Sequence, residues 1–459
     1  MLRVLLLILA FGPLVGFLFA LVLLVHLVRQ RRSPISTIAW VLAIFLLPVV
    51  GVPFYMVFGG RKMKYMTARK DALPRAEQLA EAARKGEAPQ STEAVFPLRD
   101  GNDVGLLTGG EDAFRTVVEL IKSAQQSVYV ATFILRNDDT GRAILAALTE
   151  RARAGVQVRL LLDALGCRKI KKRHLAPLRE DGGRCAFFMP MIHVPFQGRA
   201  NLRNHRKIVL VDRRTAIIGG MNLAEEYMGP TPGRPRWHDL SLSVKGPVVS
   251  DIYAVFSSDW EFAAKEALPP PQEEPAAQAG EGVRLELVPS GPDARGDYLF
   301  DTIVASLFSA RRRIYIMTPY FIPDEMIVKA LCIAARRGVD VRIVVPAVSN
   351  HLIADLVRRS YLRQIQEAGG KVHRFTPGML HGKLILVDDS PAIVGSMNMD
   401  MRSLFLNYEI ACFIHSERVV AELAAWMAGI RAQCEEGVRD VAVPVEFIEG
   451  VGRLLAPLL

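Results

Sequence analysis

Two stretches of this chain carry the same reactive side chains in the same order. His205, Lys207 and Asp212 are followed by Asn222, and His381, Lys383 and Asp388 are followed by Asn398. Both read HxK(x4)D, with the asparagine 17 residues after the histidine and Gly-Gly-Met or Gly-Ser-Met just before it. An imidazole can attack as a nucleophile or carry a proton. An ammonium supplies a fixed positive charge, and a carboxamide donates hydrogen bonds. These are the parts needed to handle a phosphodiester. With nine histidines in the chain, one chance HxK(x4)D has a likelihood on the order of a few per cent. Two copies in register, each ending in G[GS]MN, make coincidence a poor explanation.

Such groups need a rigid element beneath them. Residues 208–211 (IVLV) and 384–387 (LILV) are β-branched and apolar, and read as buried strands. The histidine and lysine, two apart, lie on one face. The chain then turns at Asp212 or Asp388 and returns through residues 216–218 or 392–394. The small residues that follow allow close backbone approach, so the asparagine comes back beside the histidine and lysine.

These motifs close a longer duplication. Residues 113–138 (AFRTVVELIKSAQQSVYVATFILRND) match 299–324 (LFDTIVASLFSARRRIYIMTPYFIPD), and residues 144–166 match 327–349. Each copy reads as helix, strand, helix, glycine turn, buried strand. A further helix-glycine-strand unit follows at Gly182-Gly183 and at Gly369-Gly370. Helices alternating with strands predict an α/β sandwich in each half. We place the halves at 98–266 and 283–440, joined by a Pro- and Ala-rich linker at 267–282.

Residues 4–28 and 35–60 contain no Asp, Glu, Lys or Arg. Each run is about 25 residues, or roughly 38 Å as helix, against a hydrocarbon core of about 30 Å. A transmembrane hairpin over residues 1–60 is expected, turning through Arg29, Arg31 and Arg32, with Trp40 and Tyr55 at the interfaces. The second run contains Pro48 and Pro53, which can kink it. A basic, helical linker at 61–97 follows. Arg3 and the cations at 61, 62, 64, 69, 70 and 75 outnumber those of the turn, which predicts a multi-pass inner-membrane protein with its bulk in the cytoplasm. The net charge of +10 suits an anionic partner. Five scattered cysteines form no disulfide framework and read as free thiols in a reducing compartment.

The duplicated motif resembles the HKD signature of the phospholipase D superfamily. The N-terminal hairpin, RNHRK at 203–207, TPYFIPDE at 318–325 and NMDMRS at 398–403 are similar to the bacterial cardiolipin synthases within it. So is the apolar tail at 441–459 (ending GRLLAPLL), which reads equally as a docking helix or a membrane contact. The resemblance implies two similar α/β halves around one pseudo-two-fold site. It implies that one histidine becomes a phosphohistidine while the other serves as acid and then base, and it leaves open which is which. Lys207, Lys383, Asn222 and Asn398 would hold the phosphate oxygens. No metal and no cofactor are implied.

An acid downstream of each asparagine should orient each histidine. Glu409, 28 residues after His381, fits that spacing. In the first copy the matching stretch is interrupted, and Asp239 is chosen for His205, with Glu226 second. Asp212 and Asp388 belong to the signature, but read more naturally as acids that fix turns and tie strands of the two halves together. The implied reaction joins two phosphatidylglycerols into cardiolipin and glycerol, with phospholipid rather than nucleic acid as substrate. Two rival activities use the same parts: another phospholipid transfer or hydrolysis, and a membrane-tethered nuclease. No repeated basic-aromatic track for stacking bases favours the nuclease. A non-catalytic lipid-binding protein fits poorly with two complete motifs.

Overall fold

The switch between 3.6-residue and two-residue periodicity becomes a regular alternation of helices and strands. The computed structural model describes residues 40–42, 44, 45, 51, 96–189, 202–271, 282–293, 297–438, 449 and 450. The first half runs β1 (Arg99–Leu107), α1 (Gly110–Ser123), β2 (Ser127–Thr132), α2 (Asp139–Arg153), β3 (Gln157–Asp163), α3 (Lys172–Glu180), β4 (Arg184–Phe188), β5 (Ile208–Val211), β6 (Thr215–Gly219), β7 (Ser241–Lys245) and α4 (Val248–Ala264). The second runs β8 (Val283–Ser290), α5 (Tyr298–Ser309), β9 (Arg313–Met317), β10 (Phe321–Ile322), α6 (Glu325–Arg336), β11 (Asp340–Pro346), α7 (Leu352–Glu367), β12 (Lys371–Phe375), β13 (Leu384–Val387), β14 (Ala392–Gly395), β15 (Met399–Asp400), α8 (Met401–Phe405), β16 (Glu409–His415), α9 (Glu417–Arg431) and β17 (Cys434–Glu436). Matching aspartates start matching helices: Asp138 accepts from the Gly141 N–H at α2, and Asp324 from the Met326 N–H at α6.

Strand order repeats with the sequence. The first half is ordered β1-β7-β6-β5-β2-β3-β4, and the second β8-β16-β14-β13-β9-β11-β12 with β17 added at the edge. In each, three strands pair in parallel and the motif-bearing hairpin runs antiparallel to them. The halves meet where β1 pairs antiparallel with β8, Asn102 opposite Val283.

The two-residue alternation decides which core each side chain enters. Ile208 and Leu210 point into a cluster shared by both halves, while Val209 and Val211 enter the first half's outer core. Leu384 and Leu386 join the shared cluster, and Ile385 and Val387 enter the second half's outer core. The shared cluster takes Tyr253, Phe256 and Trp260 from α4 and Val419, Leu423 and Met427 from α9. Strands buried on both faces read as unbroken apolar runs, and this is what the sequence contains.

The duplicated α/β architecture is as expected. The segments expected to span the membrane lie largely outside the described residues, as do the linker at 61–97 up to residue 95, most of the central linker and all of the tail at 441–459 except residues 449 and 450. Among the described residues no helix is long and apolar enough to cross a membrane. All five cysteines are free thiols, three of them buried.

Asp212 and Asp388 do not reach the motif's other groups. Five residues of extended chain, roughly 16 Å, separate Lys207 from Asp212. Each aspartate sits in the left-handed region (φ 51° and 50°), which Asp tolerates better than most residues. The Asp212 carboxylate accepts the N–H groups of Gln125, Gln126 and Ser127 at 2.9, 2.7 and 2.8 Å. Asp388 accepts those of Arg311, Arg312 and Arg313 at 2.9, 2.7 and 2.9 Å. They fix turns, as the sequence suggested, but each ties strands within its own half rather than between halves. Burial is the largest single influence and raises the Asp388 carboxyl, but the three backbone donors together with Arg312 outweigh it and hold the group below its ordinary value. Its contribution to stability is therefore present above about pH 4 and lost as pH falls through the depressed value. Asp388→Ala should cost about 2 kcal/mol at neutral pH, and Asp388→Asn less, with turnover of the folded fraction unchanged. Thermal unfolding of the detergent-solubilised chain measures this; equal midpoints for wild type and Ala variant would refute the anchoring role.

Candidate active site

Lys207 and Lys383 stand immediately before β5 and β13, with each histidine two residues earlier. His205, Lys207, His381 and Lys383 are all buried, as are Asn222 and Asn398 at the ends of the return strands. Asn222 uses its Oδ1 to accept the Ile134 N–H at 3.1 Å. The Asn398 Oδ1 is buried with no protein hydrogen bond. The two copies act on each other electrostatically: Lys383 on His205, and Lys207 on His381. The structure thus gathers eight of the ten residues singled out in sequence and leaves Asp212 and Asp388 at the far strand ends.

The carboxylates are exchanged between the halves. His205 Nδ1 lies 3.0 Å from both oxygens of Glu409, and His381 Nδ1 lies 2.6 Å from Asp239 Oδ2. This corrects the expectation that each acid serves the histidine of its own copy. Glu226 instead pairs with Arg136 at 3.3 Å. The cause is backbone geometry. The Tyr408 carbonyl accepts the His205 N–H at 2.9 Å, and the Tyr408 N–H donates to Arg203 at 2.9 Å. In the other direction His238 accepts the His381 N–H at 2.7 Å and donates to Met379 at 2.9 Å. Tyr408 precedes Glu409 and His238 precedes Asp239. The residue before each acid is therefore stitched to the other half, and the acid must point there. With Nδ1–H donating to a carboxylate, each ring turns Nε2 away from its acid; at His381 the Lys383 Nζ lies 3.2 Å from that nitrogen.

The pairs differ in size, and their neighbours compensate. A Cβ on Gly220 would lie 2.1 Å from Asp239 Oδ1, so only glycine leaves room there. At the matching position Ser396 donates its hydroxyl to Glu409 and accepts the Ile410 N–H at 3.0 Å. Aromatic rings close the walls. Phe133 meets His205 edge-on at 5.0 Å, and Tyr227 meets His381 at 5.0 Å with Trp237 at 5.4 Å.

Burial sets the charges. It lowers the His205 ring against the pull of Glu409, and with Lys383 alongside it lowers His381 to about 3. Burial thus disfavours the charged form of both rings. Glu409 stays ionised and below its ordinary value: burial opposes this, but His205 and Lys207 prevail. Lys207 falls to about 7 and Lys383 to about 8, chiefly through burial that the two acids only partly offset. Lys207 Nζ donates to the His205 carbonyl at 2.6 Å, and Lys383 donates likewise to His381. Two desolvated ammoniums side by side favour an anion between them.

Several positioning residues had no role assigned in sequence. Arg206 is buried and donates to Asp259 at 2.7 Å, to the Glu409 carbonyl at 3.0 Å and to the Ser290 carbonyl at 3.1 Å. It thereby joins α4, β8 and β16 behind His205. Asn204 donates to Asp259 and, through its N–H, to Asp163, both at 3.0 Å. Their signal was the polar run RNHRK, too polar to be buried without partners.

A tetrahedral oxyanion should bind best while both lysines are charged. Because they lose charge as pH rises through about 7 and 8, and a bound anion pulls both values up, binding takes up protons. Sulfate affinity should fall at least about tenfold between pH 6.5 and 9 and be lost in Lys207→Met. Calorimetry of the full chain in two buffers of different ionisation enthalpy measures it; pH-independent sulfate binding would refute the assignment.

A family model described as "Cardiolipin synthase, PLD-like domain" matches residues 117–260 and 303–431, and one described as "Phospholipase_D-nuclease N-terminal" matches residues 18–60. The chain is 32% identical to cardiolipin synthase 1 of Bacillus anthracis over 94% of its own length and 90% of that protein's. It is 33% identical to cardiolipin synthase A of Pseudomonas fluorescens, over 95% of each. With the major cardiolipin synthase ClsA of Bacillus subtilis the identity is 31%, over 96% of this chain and 97% of the other. Among solved structures, phosphatidylserine synthase of Haemophilus influenzae shares the fold: TM-score 0.62 at 14% identity, covering 83% of this chain and 100% of that one. Duplicated motif, repeated topology and near-full-length matches agree: the chain belongs to the bacterial cardiolipin synthases of the phospholipase D superfamily.

Proposed function

We propose that this chain is a phosphatidyltransferase that makes cardiolipin from two molecules of phosphatidylglycerol. The observation that carries the reading is the exchange of carboxylates between halves, which orients two imidazoles beside two buried lysines; that arrangement supports the holding of one phosphate between them. One imidazole attacks phosphorus through Nε2. The other imidazole takes up a proton at Nε2 as the anionic phosphate binds, and its carboxylate holds it as an imidazolium. It gives that proton to the glycerol oxygen as the P–O bond breaks, and is left neutral. The same second imidazole then deprotonates the terminal hydroxyl of another phosphatidylglycerol. That oxygen attacks phosphorus, the P–N bond breaks, and cardiolipin leaves. Lys207, Lys383, Asn222 and Asn398 hold the non-bridging oxygens throughout.

In this reading residues 1–60 form a transmembrane hairpin, 61–97 a basic linker, 98–266 and 283–440 the two catalytic halves around the linker at 267–282, and 441–459 an apolar tail. The enzyme sits in the inner membrane with its catalytic halves on the cytoplasmic side. The uncharged runs, the cation bias and the match of residues 18–60 to an N-terminal family model support this.

His205→Ala and His381→Ala should each abolish product while the chain still inserts; near wild-type turnover in either would refute the two-histidine site. Asp239→Asn and Glu409→Gln should lower kcat by about 10²–10⁴-fold with little change in KM, since they orient a ring rather than touch lipid. Purified chain given phosphatidylglycerol should yield cardiolipin and glycerol in equal amounts by mass spectrometry. Phosphatidic acid as the main product, or turnover only with CDP-diacylglycerol or phosphatidylethanolamine as donor, would refute the assigned reaction.

A further inference from the structure

The two halves diverge sharply at one matching pair of loops that the chemistry above does not use. After β3 the chain enters α3 through residues 164–171; after β11, the matching strand, it enters α7 through residues 347–351. On the first side Arg168, Lys169, Lys171, Lys172 and Arg173 are all exposed. On the second, Leu352 is 77%, Val348 69% and Ile353 54% exposed. Leu352 and Val348 are the most exposed large apolar side chains among the described residues. One loop is a cluster of cations, and its counterpart is a cluster of bare aliphatic side chains.

Both loops are fastened to the catalytic groups. A Cβ on Gly166 would lie 1.9 Å from the Phe133 carbonyl oxygen, and Cys167 donates its thiol to that carbonyl at 3.3 Å. The Phe133 ring in turn packs on His205. Asp163, at the base of the same loop, accepts the N–H groups of Leu165 and Gly166 at 2.9 and 3.0 Å, and that of Asn204 beside His205. On the other side the Tyr320 hydroxyl donates to Asn350 at 2.6 Å, and its ring meets His351 at 5.2 Å and His381 at 6.4 Å. Arg358 braces that loop by donating to the carbonyls of Pro346 and Ala347 at 2.7 and 3.0 Å. The cations therefore stand on the His205 side of the site and the aliphatics on the His381 side.

We propose that these two loops together form a docking rim for an anionic phospholipid surface. The cationic loop gathers headgroup phosphates, and the aliphatic loop enters the acyl layer, so that the site opens onto the bilayer rather than onto water. Cations alone would suit any polyanion. Exposed Leu and Ile on the opposite loop favour lipid, because a nucleic acid would be gripped by aromatic and cationic side chains. The proposal rests on the reading of the site as one that acts on phospholipid.

The test uses the full chain, nanodiscs rich or poor in phosphatidylglycerol, and a short-chain phosphatidylglycerol held below its critical micelle concentration. Lys169→Gln/Lys171→Gln/Lys172→Gln should raise KM on the rich nanodiscs about tenfold and flatten the response to surface charge, because cations near an anionic surface gain from it. Leu352→Ser/Ile353→Ser should raise KM on both kinds of nanodisc. Both variants should turn over the soluble lipid within about twofold of wild type, which also reports an intact fold. The triple Lys→Arg variant should behave as wild type. Unchanged KM on nanodiscs would overturn the rim, as would an equal loss on nanodisc and soluble lipid. Loss of single-stranded oligonucleotide binding in the Gln variant without any change in lipid KM would also overturn it, in favour of nucleic acid. A wild-type chain that converts neither lipid would overturn the reading of the site, and the rim with it.

Discussion

Each motif histidine in this protein is held by an acid from the opposite half. The contact is short, buried and directional, so it works only if the two halves keep their mutual position to within a few tenths of an ångström. Much of the architecture serves that demand. The antiparallel join of β1 and β8 makes the strands continuous across the seam. The shared core, with aromatic residues from α4 and aliphatic residues from α9, fills the space beneath it. The backbone stitches at Tyr408 and His238 set the approach of each acid, and Arg206 ties three elements behind one of them.

The same burial that fixes the geometry prepares the chemistry. Dry surroundings favour neutral rings and disfavour charged lysines, while Glu409 remains ionised. Burial therefore makes both lysine charges costly, and an anion held between them would offset part of that cost.

Some of this was legible in the sequence because it is local. The hairpins β5–β6 and β13–β14, the helix-glycine-strand units and the role of Asp212 and Asp388 at turns all follow from patterns a few residues long. The duplication itself announced the two-fold architecture. The exchange of acids was not legible. The contacts span 204 residues for His205 and Glu409 and 142 for His381 and Asp239. Equal spacing within each copy suits an in-copy partner just as well. Only the strand partners of the residues before each acid decide the matter. Gly220 and Ser396 looked like interchangeable small residues, although one makes space for an aspartate and the other supplies a donor to a glutamate.

The stitches at the seam are reciprocal: what residue 408 does for the first half, residue 238 does for the second. That is the contact pattern of an isologous pair, in which one surface recognises a copy of itself. Two identical halves could close the same contacts by pairing with each other. Joining the halves in one polypeptide lets them differ, provided the reciprocal grip survives.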